Sequence, residues 1–303
     1  MPTEWFAGFE TQYITTSGGA SIHVRHGGSG PPLLLLHGYP QTQVMWHRVA
    51  DRLAQHFTVV ATDLRGYGDS KGPPPLPDGS NYSFRDMARD QVEVMRTLGY
   101  RHFLLAGHDR GARTAHRLAL DHPAAVQRLA LLDIQPTHHA WTTMSTVQLK
   151  RAWHWMLMAQ PHDIPERLLS SVPKEWLLEK LCHLDPAHGQ QLFSAAAYAE
   201  YLRCLTPEMI AASCADYRAF ASIDVAHDEI DFSTGRRITC PTLVLYGENT
   251  YGRSDMRTIW SAYADDVSCR MIPGAGHYLA EEKPHAVLTA LLEFAAKDLQ
   301  QFR

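Results

Sequence analysis

The stretch Gly107-His108-Asp109-Arg110-Gly111 follows the apolar run Phe103-Leu104-Leu105-Ala106 and precedes a helix-like segment from Ala112 to His122. A strand, a sharp turn and a helix in that order expose the residue at the tip of the turn, because glycines let the backbone tighten until the middle side chain clears the sheet. That residue is Asp109. A carboxylate does not usefully form an acyl-enzyme by attacking a carbonyl, but it displaces a leaving group from an sp3 carbon, giving an alkyl ester that water must then cleave. Arg110 beside it and Arg113 one helical turn on point to an anionic substrate, since guanidinium groups bind carboxylates through paired, charge-assisted hydrogen bonds.

Two further residues complete a reaction. Asp133 follows the apolar run Val126 to Leu132, and His277 closes the loop Pro273-Gly274-Ala275-Gly276-His277 after the run Ser268 to Ile272. Nucleophile, acid and histidine then occur in a chain order known for strand-end triads. Asp109 attacks, His277 activates the hydrolytic water, and Asp133 fixes the imidazole tautomer. Glu248 and Asp255, after the strand-like run Thr242 to Tyr246, are the other candidate acids, and Asp133 is preferred. The loop His37-Gly38-Tyr39-Pro40-Gln41-Thr42 follows the run Pro32 to Leu36, a place where backbone N–H groups serve an oxyanion. His37, Tyr39 and His108 are therefore expected to line the pocket. His138, His139, His183 and His188 show no spacing matched to acidic or cysteine ligands, so no metal and no cofactor are expected.

These residues need a sheet to bring them together. Gln12 to Thr16 and Ser21 to Arg25 read as an edge hairpin, and the wholly apolar runs from Pro32, Thr58, Phe103, Val126, Thr242 and Ser268 read as buried parallel strands. Trp46 to Gln55, Ser83 to Leu98 with Ser83 as N-cap, Met256 to Tyr263 and Pro284 to Phe302 read as helices. The loop from Asp63 to Ser70 reads as a folding and turn element, with Asp63 and Arg65 structural. Strand and helix stop alternating at about Thr137, and up to Arg236 aromatic, Leu, Met and His residues recur at helical spacing. The expectation is an α/β protein with a mostly parallel eight-stranded sheet flanked by helices. Residues 1–136 and 237–303 form its core domain, and 137–236 an inserted helical cap domain.

The 303 residues are 45% hydrophobic and carry a net charge of −4 without long basic runs, so a small ligand is expected and nucleic acid is not. Five scattered cysteines without C-x-x-C spacing argue against a disulfide framework. The Met1-Pro2-Thr3-Glu4-Trp5 start lacks a signal-like pattern, and no apolar run reaches membrane-spanning length, so a soluble cytoplasmic protein is expected.

On His37 to Thr42, Gly107 to Arg113, Leu132-Asp133-Ile134, Trp153-His154-Trp155, Asp216-Tyr217-Arg218 and Gly274 to His277, the chain resembles the fluoroacetate dehalogenases of the α/β-hydrolase superfamily. The resemblance implies that Arg110 and Arg113 hold the carboxylate of a short 2-haloacid. It also implies that His154, Trp155 and Tyr217 form a halide pocket and that the enzyme is a homodimer. Three charge-assisted hydrogen bonds to a leaving halide amount to at most about 5–9 kcal/mol. An epoxide hydrolase shares the aspartate nucleophile and uses cap tyrosines, for which Tyr198, Tyr201 and Tyr217 are candidates. Arg110 speaks against it, because a neutral substrate has no use for it. A non-catalytic ligand sensor on the same fold is disfavoured by the intact set of Asp109, Asp133 and His277.

Overall fold

The computed structural model describes residues 5–183 and 185–299; His188's side chain and residues 300–302 of the expected closing helix fall outside the described residues. Eight strands form one sheet: β1 (Glu10–Thr15), β2 (Ser21–Gly28), β3 (Pro32–Leu36), β4 (Thr58–Thr62), β5 (Phe103–His108), β6 (Val126–Leu132), β7 (Thr242–Gly247) and β8 (Val267–Ile272). Their order is β1-β2-β4-β3-β5-β6-β7-β8. β1 pairs antiparallel with β2 and β2 with β4, and every later pairing is parallel. Leu34, Leu35 and Leu36 are fully buried, as both faces of a covered parallel strand must be.

From β3 the chain moves to one side to form β4, then returns to the other side of β3 for β5. The loops leaving β3 and β5 thus diverge at neighbouring strand ends, which opens a crevice at the carboxyl edge of the sheet. The first of these loops carries Tyr39 and the second Asp109.

Ser83 caps α1 (Phe84–Thr97), its hydroxyl accepting from the Asp86 N–H at 3.2 Å. The expected helix over Trp46 to Gln55 is replaced by a 3-10 turn, Gln43–Trp46, and one helical turn, Ala50–Leu53. Val49 between them has φ −125°, outside the helical range. An N-terminal anchor also constrains this stretch: the Gln43 N–H donates to Asp63 Oδ1 at 2.8 Å.

The helix after β5, α2 (Arg110–Asp121), is buried along nearly its whole length, with the sheet on one side and the inserted helices on the other. Between β6 and β7 the described chain contains helices and no strand. The stretches that matter below are α3 (Trp153–Met158), α4 (Pro173–Cys182), α5 (Ala195–Cys204), α6 (Pro207–Phe220) and α7 (Ile223–Ser233). Among the described residues no helix is long and apolar enough to cross a membrane.

The loop after β4 is the folding element expected of it. Asp63 Oδ2 accepts from the Asp69 N–H at 3.1 Å and bonds the His23 ring at 2.8 Å. Arg65 grips the buried Asp90 of α1 through Nε at 2.7 Å and Nη2 at 2.8 Å. Removing one partner of a buried ion pair strands the other charge, so Asp90→Ala is expected to lower stability by about 3–5 kcal/mol. Urea unfolding of the variant checks this, and a loss below about 1 kcal/mol would contradict it.

Candidate active site

Asp109 stands between β5 and α2 with φ 48° and ψ −114°. A non-glycine residue is rarely found there, and holding it costs about 1–3 kcal/mol. Its neighbours make the turn possible. A Cβ on Gly111 would lie 2.3 Å from the His37 carbonyl oxygen, and one on Gly38 would lie 2.4 Å from the Asp109 Cβ. Only glycine lets these loops approach so closely. The close approach lets the Tyr39 N–H donate to Asp109 Oδ1 at 2.9 Å. Among the described residues Oδ2 has no such donor, and it faces His277 Nε2 at 3.7 Å.

His277 and Asp133 meet as the sequence leads one to expect. His277 Nδ1 bonds Asp133 Oδ2 at 2.6 Å, and Asp133 Oδ1 accepts from the Gly247 N–H at 2.9 Å and the Thr250 hydroxyl at 2.6 Å. A carboxylate so placed accepts a hydrogen bond from Nδ1–H, which fixes the tautomer and leaves Nε2 for Asp109 or a water. The other candidate acids are engaged elsewhere. Glu248 accepts from the Gly274 N–H at 2.8 Å, and Asp255 caps the helix Met256–Ser261 through the Thr258 N–H at 3.0 Å. Burial disfavours charge on His277, but the facing Asp109 carboxylate and the bond to Asp133 outweigh that and raise the imidazole to about 10. Burial alone would raise Asp109; the facing His277 imidazole and the nearby positive groups hold it well below the ordinary carboxylate range.

His37 and His108 are fully buried. His37 bonds the Gly38 carbonyl through Nδ1 at 2.9 Å and accepts from the Leu64 N–H through Nε2 at 3.0 Å. His108 Nε2 donates to the His277 carbonyl at 2.8 Å. Both rings brace the loops that carry the reacting groups. His108 is held neutral, down to about 3, by burial and by repulsion from His277.

Three arginines line one side of α2, and the inserted helices meet them unequally. Arg110 donates through Nε to Asp216 Oδ2 of α6 at 2.9 Å, and its Nη2 bonds the other carboxylate oxygen. Tyr67 also donates to Asp216 Oδ2, at 2.6 Å. Arg117 pairs with Asp228 and Asp231 of α7. Arg113, between them, has no carboxylate partner among the described residues. Its Nη1 donates to the Gln135 carbonyl at 3.2 Å and the Thr137 hydroxyl at 3.1 Å, while its buried Nε is without a partner. Burial, reinforced by Arg110, depresses its affinity for its proton. A buried guanidinium without a counter-ion is costly unless an anion comes to it.

His154, Trp155 and Tyr217 come together above this helix. The His154 and Tyr217 rings lie 5.7 Å apart, the His154 and Trp155 rings 6.4 Å, and the Arg113 guanidinium 5.4 Å from the Trp155 ring. His154 Nδ1 is buried without a partner. Burial and the field of Lys180 keep the His154 ring neutral. Tyr217 is buried, its ring edge-on to Tyr39 at 5.5 Å. The three rings thus gather N–H and O–H groups in one neighbourhood over α2.

Sequence reasoning assigned no role to Asp216 or Trp176. Asp216 lies inside a stretch that carried the resemblance, yet its role depends on a contact across 106 positions. Trp176 of α4 donates through its indole to the Tyr39 hydroxyl, and no sequence signal marked it. Of the tyrosines considered for epoxide opening, Tyr201 is tied to the buried Glu281 and to Gln41. Among the described residues one group has metal-ligand proximity, His23, Asp63 and Asp69. The Asp63 oxygens there are taken up by the hydrogen bonds described above and by Gln43.

A family model of the alpha/beta hydrolase fold matches residues 31–284. Fluoroacetate dehalogenase of Burkholderia sp. is 42% identical over 292 residues, spanning 95% of this chain and 94% of that protein. The chain belongs to the fluoroacetate dehalogenase family of the α/β-hydrolase superfamily. Family membership makes it a hydrolase. Soluble epoxide hydrolase of Corynebacterium sp. (strain C12) is also similar, 32% identical over 94% of this chain and 97% of that protein. Among solved structures, the protein ALR0039 of Nostoc sp. PCC 7120 superposes with a TM-score of 0.89 at 49% identity, over 96% of this chain and 99% of that one.

The charge arrangement makes a direct prediction about His277. Asp109→Asn removes one of the two carboxylates that raise it, so its pKa should fall from about 10 toward the ordinary histidine range. NMR titration of the imidazole in the variant measures this, and an unmoved value would show that Asp109 does not act on His277.

Proposed function

We propose that the protein is a cofactor-independent haloacid dehalogenase that converts a short 2-haloacid, fluoroacetate or another haloacetate, into the 2-hydroxy acid and halide. The observation that carries this reading is Arg113, a buried cation one helical turn from Asp109 that lacks a carboxylate partner among the described residues. A haloacid carboxylate supplies the missing anion, and holding it there presents the α-carbon to Asp109 for in-line attack.

Asp109 Oδ2 forms a bond to the α-carbon as the carbon–halogen bond breaks, and the halide departs with the bonding pair. His154, Trp155 and Tyr217 donate to the leaving halogen as its charge develops. The Tyr39 N–H holds Oδ1, in the place where this fold gathers charge on an oxyanion. Esterification removes the negative charge of Asp109, one of the influences that keep His277 protonated. The imidazole then loses its proton more readily and Nε2 accepts one from water, whose oxygen attacks Asp109 Cγ. Collapse of the tetrahedral intermediate returns the carboxylate, and His277 gives its proton to the departing alkoxide. The sum is haloacid plus water giving hydroxy acid, halide and a proton. The product's new oxygen is drawn from Asp109 in the first turnover.

A homodimer and a cytoplasmic setting belong to the same proposal. Exposed Val147, Leu149, Met156, Ile164 and Leu168 on the inserted helices support the first, and five free cysteines support the second.

Fluoride- or chloride-selective electrode assays with fluoro- and chloroacetate are expected to show halide release, and styrene oxide, offered because epoxide hydrolases are also similar, to remain unopened. No halide from any haloacetate, or turnover of the oxide alone, would overturn the proposal. His277→Asn should accumulate an ester on the peptide containing Asp109, seen as added mass; its absence after substrate loss would contradict covalent attack. Arg113→Met is expected to raise KM about 10- to 100-fold, the worth of a charged hydrogen bond.

A further inference from the structure

Helix α4 ties the inserted helices to both loops that carry reacting groups. Trp176 reaches the Tyr39 hydroxyl, and Tyr39 in turn holds Asp109 through its N–H. One turn on, the Lys180 carbonyl accepts from the Tyr278 hydroxyl at 2.7 Å, and Tyr278 follows His277 in the chain. Trp176 and Lys180 stand four positions apart, so their side chains share one face of the helix.

That shared face places an ammonium group near the site. Lys180 Nζ lies 5.0 Å from the Trp153 ring and 5.4 Å from the Trp176 ring, and makes no ion pair or hydrogen bond among the described residues. Trp153 is 41% exposed and Trp176 only 6%, so the two indoles, 5.5 Å apart, lead from the surface inward with the ammonium beside both. Lys180 also acts on His154, where its field helps to keep the ring neutral. Burial brings the lysine down to about 8 despite the opposing pull of Glu179, which leaves most of it charged at neutral pH. Aromatic faces favour a cation but do not neutralise it.

We propose that Lys180 is a specificity-determining residue that receives the carboxylate of the incoming substrate over Trp153 and Trp176 and passes it to Arg113. This rests on the dehalogenase reading for the identity of the substrate, although the ligand class, a small monocarboxylate, follows from the two cations themselves. The role is capture rather than chemistry. Lys180→Met should therefore weaken encounter with the anion and leave the bond-breaking step alone, while Lys180→Arg should keep most of the capture.

The test compares wild type, Lys180→Met and Lys180→Arg in two assays at low and high salt. Chloride release from chloroacetate gives kcat and KM, and calorimetric titration with acetate gives the affinity for a carboxylate that cannot react. Lys180→Met is expected to raise KM and the acetate Kd together by about fivefold at low salt, with less difference at high salt. Its kcat should stay within about twofold of wild type, and Lys180→Arg should recover most of the affinity. Unchanged KM and Kd in Lys180→Met would overturn the proposal, as would a loss confined to kcat or an equal loss in the arginine variant, which would assign the residue to packing. Acetate binding still tests Lys180 if wild type releases no halide, so failure of the dehalogenase reading is seen separately; absence of acetate binding by wild type would overturn the capture role.

Discussion

A carboxylate that must remain ionised after being taken out of water is the constraint around which this molecule is arranged. Burial alone would favour the protonated acid at Asp109, which has no nucleophilic pair to offer. The charged imidazole of His277, with Arg110 behind it, reverses that preference, while the N–H of Tyr39 fixes the other carboxylate oxygen. Each depends on other parts of the fold. Tyr39 is positioned by a β3 loop that only glycine at position 38 allows so close, and His277 by Asp133, itself held through Gly247 and Thr250 at the end of β7. The topological switch between β3 and β5 is what brings these strand ends side by side.

The inserted helices are part of the same electrostatic system. Asp216 lies on α6, yet it satisfies Arg110 on α2 and receives a hydroxyl from Tyr67 in the loop after β4. Asp228 and Asp231 do the same for Arg117. Buried ion pairs contribute little net stability relative to apolar packing, but they strongly disfavour alternative placements of the helices that carry them. Here they fix the insertion over α2 so that the middle arginine is left open between two that are closed.

Much of the fold was legible because parallel strands buried on both faces leave unbroken apolar runs. β3, β4 and β6 were readable to the residue for that reason, and the elbow was readable because its geometry demands glycine. The stretch from Gln43 to Leu53 was not. It has helical composition, but bonds from Gln43 to Asp63 and the non-helical Val49 divide it, and these are tertiary effects with no local signal. At the site, Asp109, Asp133 and His277 were legible from strand ends and chain order, whereas the difference between Arg110 and Arg113 was not. Both read as substrate ligands; only the long-range contact with Asp216 distinguishes an ion-paired guanidinium from one without a carboxylate beside it among the described residues. Trp176 was hidden for the same reason, its partner lying 137 positions away.

The pairing of Arg110 with Asp216 also sets the charge that the proposed site accepts. Arg110 offsets Asp216 and His277 offsets Asp133, which leaves Asp109 facing Arg113 and Lys180, a surplus of one positive charge in the empty site. An entering haloacid cancels it. Alkylation only moves a negative charge from Asp109 to the halide, so the enclosure stays balanced while the bond breaks. A dicarboxylate would carry the sum past zero, and the closed arginine therefore makes the site one for monoanions.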